Sequence, residues 1–311
     1  VTEPARTSRH LWEWFEPIHA VVYFAPEVQE ALTACGLRGF WMGYFGSRAA
    51  PLGPVGPEVV GATFFGFHPT MVARAIPDAW QFARPDAIQA ARDAGVDAAL
   101  RRILGARADA PTTAAVATQA RAAVAACTFG GRPLAAAWAA ARPPESPLLQ
   151  LWHAVSVLRE HRGDGHVVAN VAAGIDGLEA HVLQAASGAV PRDWLQRARG
   201  WTDDDWTAAA ARLQARGWIQ GDSLTPAGAL VRAEVERVTD ELAAAPWSTL
   251  GPAATAALAA GLRPLTEAVI ESGEIPFPNP IGVPRPSPDE SRAGLRTRPG
   301  PSEPGRSPQT D

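Results

Sequence analysis

The feature that most constrains this chain is its periodicity. Alanine- and leucine-rich segments recur at helical spacing along most of the sequence, and just one short stretch is fit to pair as a hairpin. Prolines and glycines punctuate those segments. Pro26 suits the first turn of a helix that Gly36 would stop. Further helices are predicted over 40–49, 86–104 and 113–127. The run Arg142-Pro143-Pro144-Glu145-Ser146-Pro147 ends any helix and predicts a boundary near residue 145, although helices on its two sides could equally share one core. A helix over 148–161 follows, with Asp164 as the cap of the next one, starting at Gly165. Segments near 178–186, 191–199, 202–216 and 226–242 complete the helical pattern. Trp218-Ile219 can pair with Ser223-Leu224-Thr225 across Gly221-Asp222.

The chain has 311 residues, enough for two ordinary domains or one large one, and 47% of them are hydrophobic. It is divided here into a flexible N-terminus (1–7), a helical domain (8–145), a second helical domain (146–274) and a disordered proline-rich tail (275–311). Every basic residue is arginine. Without lysine there is no Schiff base and no P-loop ammonium, and arginine stays protonated, so it cannot serve as an ordinary general base. A net charge of −4 gives no expectation of nucleic-acid binding. Cys35 and Cys127 are too few for a disulfide framework or a four-thiolate zinc site. The apolar stretch 11–24 is broken by Glu13, Glu16 and Pro17, and no run reaches the length of a membrane span, so a cytoplasmic protein is expected.

Leu213-Gln214-Ala215-Arg216-Gly217-Trp218-Ile219, then Asp222, then Leu224-Thr225-Pro226-Ala227-Gly228, resembles the recognition helix, wing and closing helix of MarR-type winged-helix regulators. The resemblance covers residues 191–245. Three further stretches resemble a helix-turn-helix family of actinobacteria, a likeness that carries no particular activity: Glu16-Pro17-Ile18-His19 with Tyr23-Phe24-Ala25-Pro26-Glu27, Arg48-Ala49-Ala50-Pro51-Leu52-Gly53, and Leu158-Arg159-Glu160-His161-Arg162-Gly163-Asp164-Gly165-His166. Together they imply a mostly α protein, an N-terminal helical domain followed by a C-terminal winged-helix domain with a small β wing. The MarR likeness also implies a homodimer and DNA contact, for which Arg212 and Arg216 are the candidates. Charge argues the other way. The recognition helix would open on Asp203, Asp204 and Asp205, and residues 192–241 hold seven arginines against nine acids. Thr202 and Asp205 read more simply as a capping pair.

Three constellations are candidates for chemistry. Trp12, Glu16, His19 and Tyr23 share one helical face, a polar line that either contacts a ligand or ties two helices together. There, Glu16 is expected to orient the His19 ring and leave its second nitrogen available. Trp41, Tyr44 and Arg48 share a face of the next helix but one, near the aromatic run Phe64, Phe65, Phe67 and His68. With Glu16, His19 and Tyr23 they form a candidate small-molecule pocket, in which Arg48 would hold an anion or pair with Glu16 or Glu27. His161, Asp164 and His166 are weaker candidates for a metal, the alternative being an N-cap, salt bridges and buried imidazoles. The leading reading is a small-molecule-binding winged-helix protein, with a role as a transcriptional regulator depending on DNA contact. It requires no cofactor. A metal- or haem-dependent enzyme acting on a small aromatic or hydrophobic metabolite is the alternative.

Overall fold

A computed structural model describes residues 2–286 apart from 280 and 284. These residues form a mostly α-helical protein with one two-stranded hairpin. The chain begins with α1 (Glu3–Phe24), α2 (Pro26–Ala34) and α3 (Gly39–Ala49), then three short helices, α4 (Pro57–Phe64), α5 (Pro69–Ala73) and α6 (Ala79–Phe82). Next come α7 (Pro85–Leu104), α8 (Pro111–Ala125), α9 (Pro133–Ala140) and the longest helix, α10 (Pro147–Ala172). After them lie α11 (Gly177–Ala186), α12 (Arg192–Arg199), α13 (Asp203–Ala215), β1 (Ile219–Gln220), β2 (Ser223–Leu224), α14 (Pro226–Leu242), α15 (Ala245–Leu250) and α16 (Pro252–Glu271). Among the described residues, nine of the sixteen helices begin on proline, where its fixed φ suits the first turn and its missing N–H would have had no helical partner. Among the described residues no helix is long and apolar enough to cross a membrane.

Two apolar cores form, and their boundary does not fall at residue 145. Leu148, Leu151, Trp152, Val155 and Leu158 of α10 pack in one core with α1–α3 and α7–α9, and Leu258, Leu262 and Val269 of α16 return to it. The second core starts at Ala169 on the same helix and takes in Leu178, Leu195, Trp206, Leu213, Ile219 and Val235. The proline run near 145 is therefore a loop inside the first body, and α10 is shared by both. Helix α10 also runs through Asp164 and Gly165 where a break was expected. Asp164 does cap a helix, but a different one: its Oδ2 accepts the Ala135 N–H at 2.9 Å in the first turn of α9. A β-carbon on Gly165 would touch Leu242 Cβ at 3.4 Å, so the glycine permits the close approach of α10 and α14. Pro17, expected to mark a kink or a second helix, lies within the continuous α1.

Both ends of the body also depart from expectation. Helix α1 starts at Glu3 and Ala5 is fully buried, so the segment expected to be loose is folded. The proline-rich segment stays on the body beyond 275. Ile275 and Val283 join the first core, and the buried Asn279 side chain accepts the Val283 N–H at 2.9 Å while donating to the Pro276 and Val283 carbonyls. Most of the expected tail, residues 287–311, lies outside the described residues.

The hairpin pairs Ile219 with Leu224 and Gln220 with Ser223, and its base is clamped on α14 at a glycine. A β-carbon at Gly228 would stand 1.9 Å from the Trp218 carbonyl oxygen. Gly228→Ala is therefore expected to force the hairpin off α14 and lower stability by about 1–3 kcal/mol. Chemical denaturation measures this, and an unchanged midpoint would contradict the packing described.

Candidate functional site

Where α1, α3 and α10 meet, charge is buried and paired. The Glu160 side chain is fully buried on α10. Both its oxygens accept from Arg48 at 2.9 Å, in the two-pronged geometry that a planar guanidinium suits, and Arg159 Nη1 lies 2.9 Å from Oε2. Burial alone would raise the Glu160 pKa, but Arg159 and Arg48 outweigh it and hold the carboxyl down at about 2. Arg159 also reaches Glu16 at 3.4 Å, and Glu16 accepts from Trp12 Nε1 at 2.9 Å. Arg48 stacks on Phe64 at 4.2 Å and donates to the Tyr44 hydroxyl at 3.3 Å.

His19 is fully buried and both its ring nitrogens are engaged. The Ser156 hydroxyl donates to the Trp152 carbonyl at 2.7 Å, so its lone pair accepts His19 Nδ1–H at 2.8 Å. The Tyr23 hydroxyl then donates to Nε2 at 2.9 Å. Burial, with the nearby Arg159 charge adding to it, drives the His19 pKa well down. The orientation of His19 by Glu16 and the open second nitrogen expected from the sequence are not found, because Glu16 is held by Trp12 and Arg159.

Beside this network lies a cavity of about 790 Å³ between the two bodies. Arg9, Trp12, Tyr44, Arg48 and Phe64 line it from the first body, and Ile175, His181, Leu183, Val190 and Val235 from the second. The shared helix α10 contributes Arg159, Arg162, His166 and Asn170, and Ile281 and Val283 of the proline-rich segment close one side. Of the residues proposed from the sequence, Trp12, Glu16, Tyr44, Arg48, Phe64, Phe65 and Phe67 line this cavity, as do Asp164 and His166 of the metal candidates. His19 and Tyr23 sit behind it in the network, Trp41 packs against Phe67, and His68 caps α5 through Thr70 and lies edge-on to Trp201. Sequence reasoning missed Arg9, Arg159, Arg162, His181 and Arg232. A signal was there: Arg159, Arg162 and His166 recur at three and four residues on an apolar helix, so they share one face.

The metal candidates do not converge. Arg132 donates to His161 Nε2, Asp164 caps α9, and His166 Nδ1 meets the Thr239 hydroxyl at 3.0 Å. No group of three metal-ligating side chains is found among the described residues. The candidate DNA contacts are exposed but already paired within the protein. Arg212 pairs with Asp176 at 2.6 Å and Glu179 at 2.8 Å, and Arg216 donates to the Gly174 carbonyl at 2.7 Å. Thr202 and Asp205 form the reciprocal cap expected of them. The exposed residues of α13 are Asp203, Asp204, Thr207, Ala208, Ala211, Arg212, Gln214 and Ala215, with Arg212 already paired.

A family model described as a helix-turn-helix family matches residues 8–276, most of the chain, which therefore belongs to that family. No curated protein and no solved structure matches it.

Two predictions follow from the buried charge. Arg48→Met strands part of the Glu160 charge and should cost about 3–5 kcal/mol, whereas Arg48→Met with Glu160→Met should cost less, because no carboxylate is left unpaired. Equilibrium unfolding of both variants tests this, and equal losses would contradict it. The second concerns pH. Burial lowers His181 to about 3 and His161 to about 4, so between their ordinary value and these the unfolded chain binds more protons than the folded one. That part of the stability is present above about pH 6.5 and is lost on acidification, by about 2 kcal/mol for each histidine at pH 5. Asp164, raised to about 6 by burial, works in the opposite direction and offsets about 1 kcal/mol. The melting temperature should thus fall between pH 7.5 and pH 5, and a constant or rising value would contradict the assignment.

Proposed function

We propose that this member of the helix-turn-helix family is a small-molecule-binding protein whose C-terminal module is a winged helix that walls a ligand cavity. The observation that carries the reading is the cavity of about 790 Å³, lined by aromatic, aliphatic and arginine side chains from both bodies. The winged-helix assignment is supported by element order: α11, α12, a turn through Gly200 with left-handed φ, α13, the hairpin and α14. In that frame α13 takes the recognition position and the β1–β2 hairpin is the wing. A ligand at a junction between two bodies can bias their relative arrangement in proportion to its differential affinity for the alternatives. This suits a sensor.

The family match favours a second reading, a transcriptional regulator that contacts DNA through α13. The acidic first turn of α13 and the pairing of Arg212 with Asp176 and Glu179 weigh against it, since counterion release needs cations facing phosphate.

Native mass spectrometry of the protein as purified, followed by denaturing extraction, should reveal a bound small molecule. A mass equal to the bare chain, together with no binder in a metabolite-extract thermal-shift screen, would overturn the sensor reading. Gel-shift assays with DNA from upstream of its own gene are expected to show no complex even at low salt. A specific complex that weakens steeply with salt would instead establish the regulator.

A further inference from the structure

Within the cavity, one group of residues has bonding capacity that the protein leaves unused. Arg162 on α10 is about 6% exposed. Its Nη2 lies 2.7 Å from Asp240 Oδ1, but its Nη1 is buried with no hydrogen-bond partner among the described residues. A buried guanidinium N–H without an acceptor is costly, and a ligand oxygen would supply one. Four residues on, on the same helix face, stands His166. The Thr239 hydroxyl donates to the Val235 carbonyl at 2.7 Å, so it accepts from His166 Nδ1–H. Nε2 of His166 is then an acceptor, and no described residue donates to it. Burial pushes the His166 pKa below its ordinary value, which favours the neutral imidazole. Arg232 faces the same region and its one described polar partner is the Ser187 hydroxyl, so it adds a cation without a carboxylate. Arg9 and Arg162 themselves are balanced by Glu236 and Asp240. The rest of the lining offers Tyr44, Phe64 and Phe67, rings suited to an aromatic body.

The geometry points to a hydroxycarboxylic acid as the ligand: its carboxylate on Arg162 with Arg232 supplying counter-charge, its hydroxyl donating to His166 Nε2, and its apolar part on the aromatic wall. The assignment rests on the reading of the cavity as a ligand site. It adds polarity and order to that site, because acceptor and donor positions are fixed one helical turn apart.

Calorimetric titration of the full chain with 3-phenyllactate, 3-phenylpropanoate and 3-phenyllactamide tests it. The hydroxy acid should bind roughly tenfold more tightly than either analogue, since each leaves one protein group unmatched. Arg162→Gln should erase the preference for acid over amide, and His166→Leu the preference for the hydroxyl. The wild-type ranking alone is decisive if either variant fails to fold. An amide that binds as tightly as the acid overturns the anion assignment and leaves the cavity reading standing. Equal binding of 3-phenylpropanoate and 3-phenyllactate overturns the role of His166. No heat with any of the three overturns the ligand class, while the native mass measurement judges the cavity itself.

Discussion

A single carboxylate removed from water, that of Glu160, sets the position of much else in this protein. Taking it out of solvent is tolerable because Arg48 and Arg159 meet it with short, charge-assisted contacts. Those contacts fix α3 against α10 across 112 residues of sequence. Through Arg159 and Glu16 they also fix α1, which in turn seats Trp12 at the edge of the cavity. The Arg48 backbone carbonyl accepts from Trp138 Nε1 at 3.2 Å, and Arg92 stacks on the same indole at 4.2 Å, so the constraint extends to α7 and α9. Exchanging this network for apolar groups could yield an equally stable core. What it supplies is registry: three helices are aligned by a charge that tolerates few alternative arrangements.

Helix α10 is the structural axis. Its first half is buried in one core and its last turns in the other, and the cavity opens where the two cores part. An apolar helix serving two cores must present polar groups at the change of partner, and those groups are Arg159, Arg162 and His166. Gly165 lets α14 approach at that point, and Arg132 reaches the Leu242 carbonyl at 2.7 Å to tie α9 to the end of α14. The two bodies are thus joined by backbone continuity, by charged side chains at the cavity, and by close contacts of the Phe65-Gly66 backbone with His181 and Trp201, whose ring nitrogens lie 3.1 and 2.9 Å from the Gly66 carbonyl oxygen.

The acidic start of α13 has a local explanation that needs no partner. Asp205 accepts from the Thr202 N–H at 3.0 Å and Thr202 from the Asp205 N–H at 3.2 Å, while Asp203 pairs with Arg192 at 2.9 Å. Negative charge at a helix N-terminus is favourable through the helix dipole. The same choice of residues removes positive potential from the position where a winged helix would meet phosphate. The family match and the surface charge therefore point in different directions, and the surface is what a partner meets.

The sequence by itself determined the elements, since most helices follow from local rules. The Pro26, Phe40, Asp86 and Thr113 segments fold as helices at nearly the expected places, the capping pair at Thr202 forms, and the hairpin pairs where its turn residues stand. These rest on φ preference, capping and spacing, which act within a few residues. The candidate site was legible in part. Glu16, Tyr44, Arg48 and Phe67 line the cavity, but His19 and Tyr23 spend their bonding capacity on each other and on Ser156, a residue 137 positions away from His19. Nothing in the local pattern could reveal that. Nor could it distinguish the buried Arg159-Glu160 pair from a solvated charge run, or show that Asp164 caps α9 instead of its own neighbours. Burial and partnership depend on which distant segments meet. Tertiary structure alone decided that α10 joins two cores, and so where a cavity with unpaired Arg162 and His166 groups would lie.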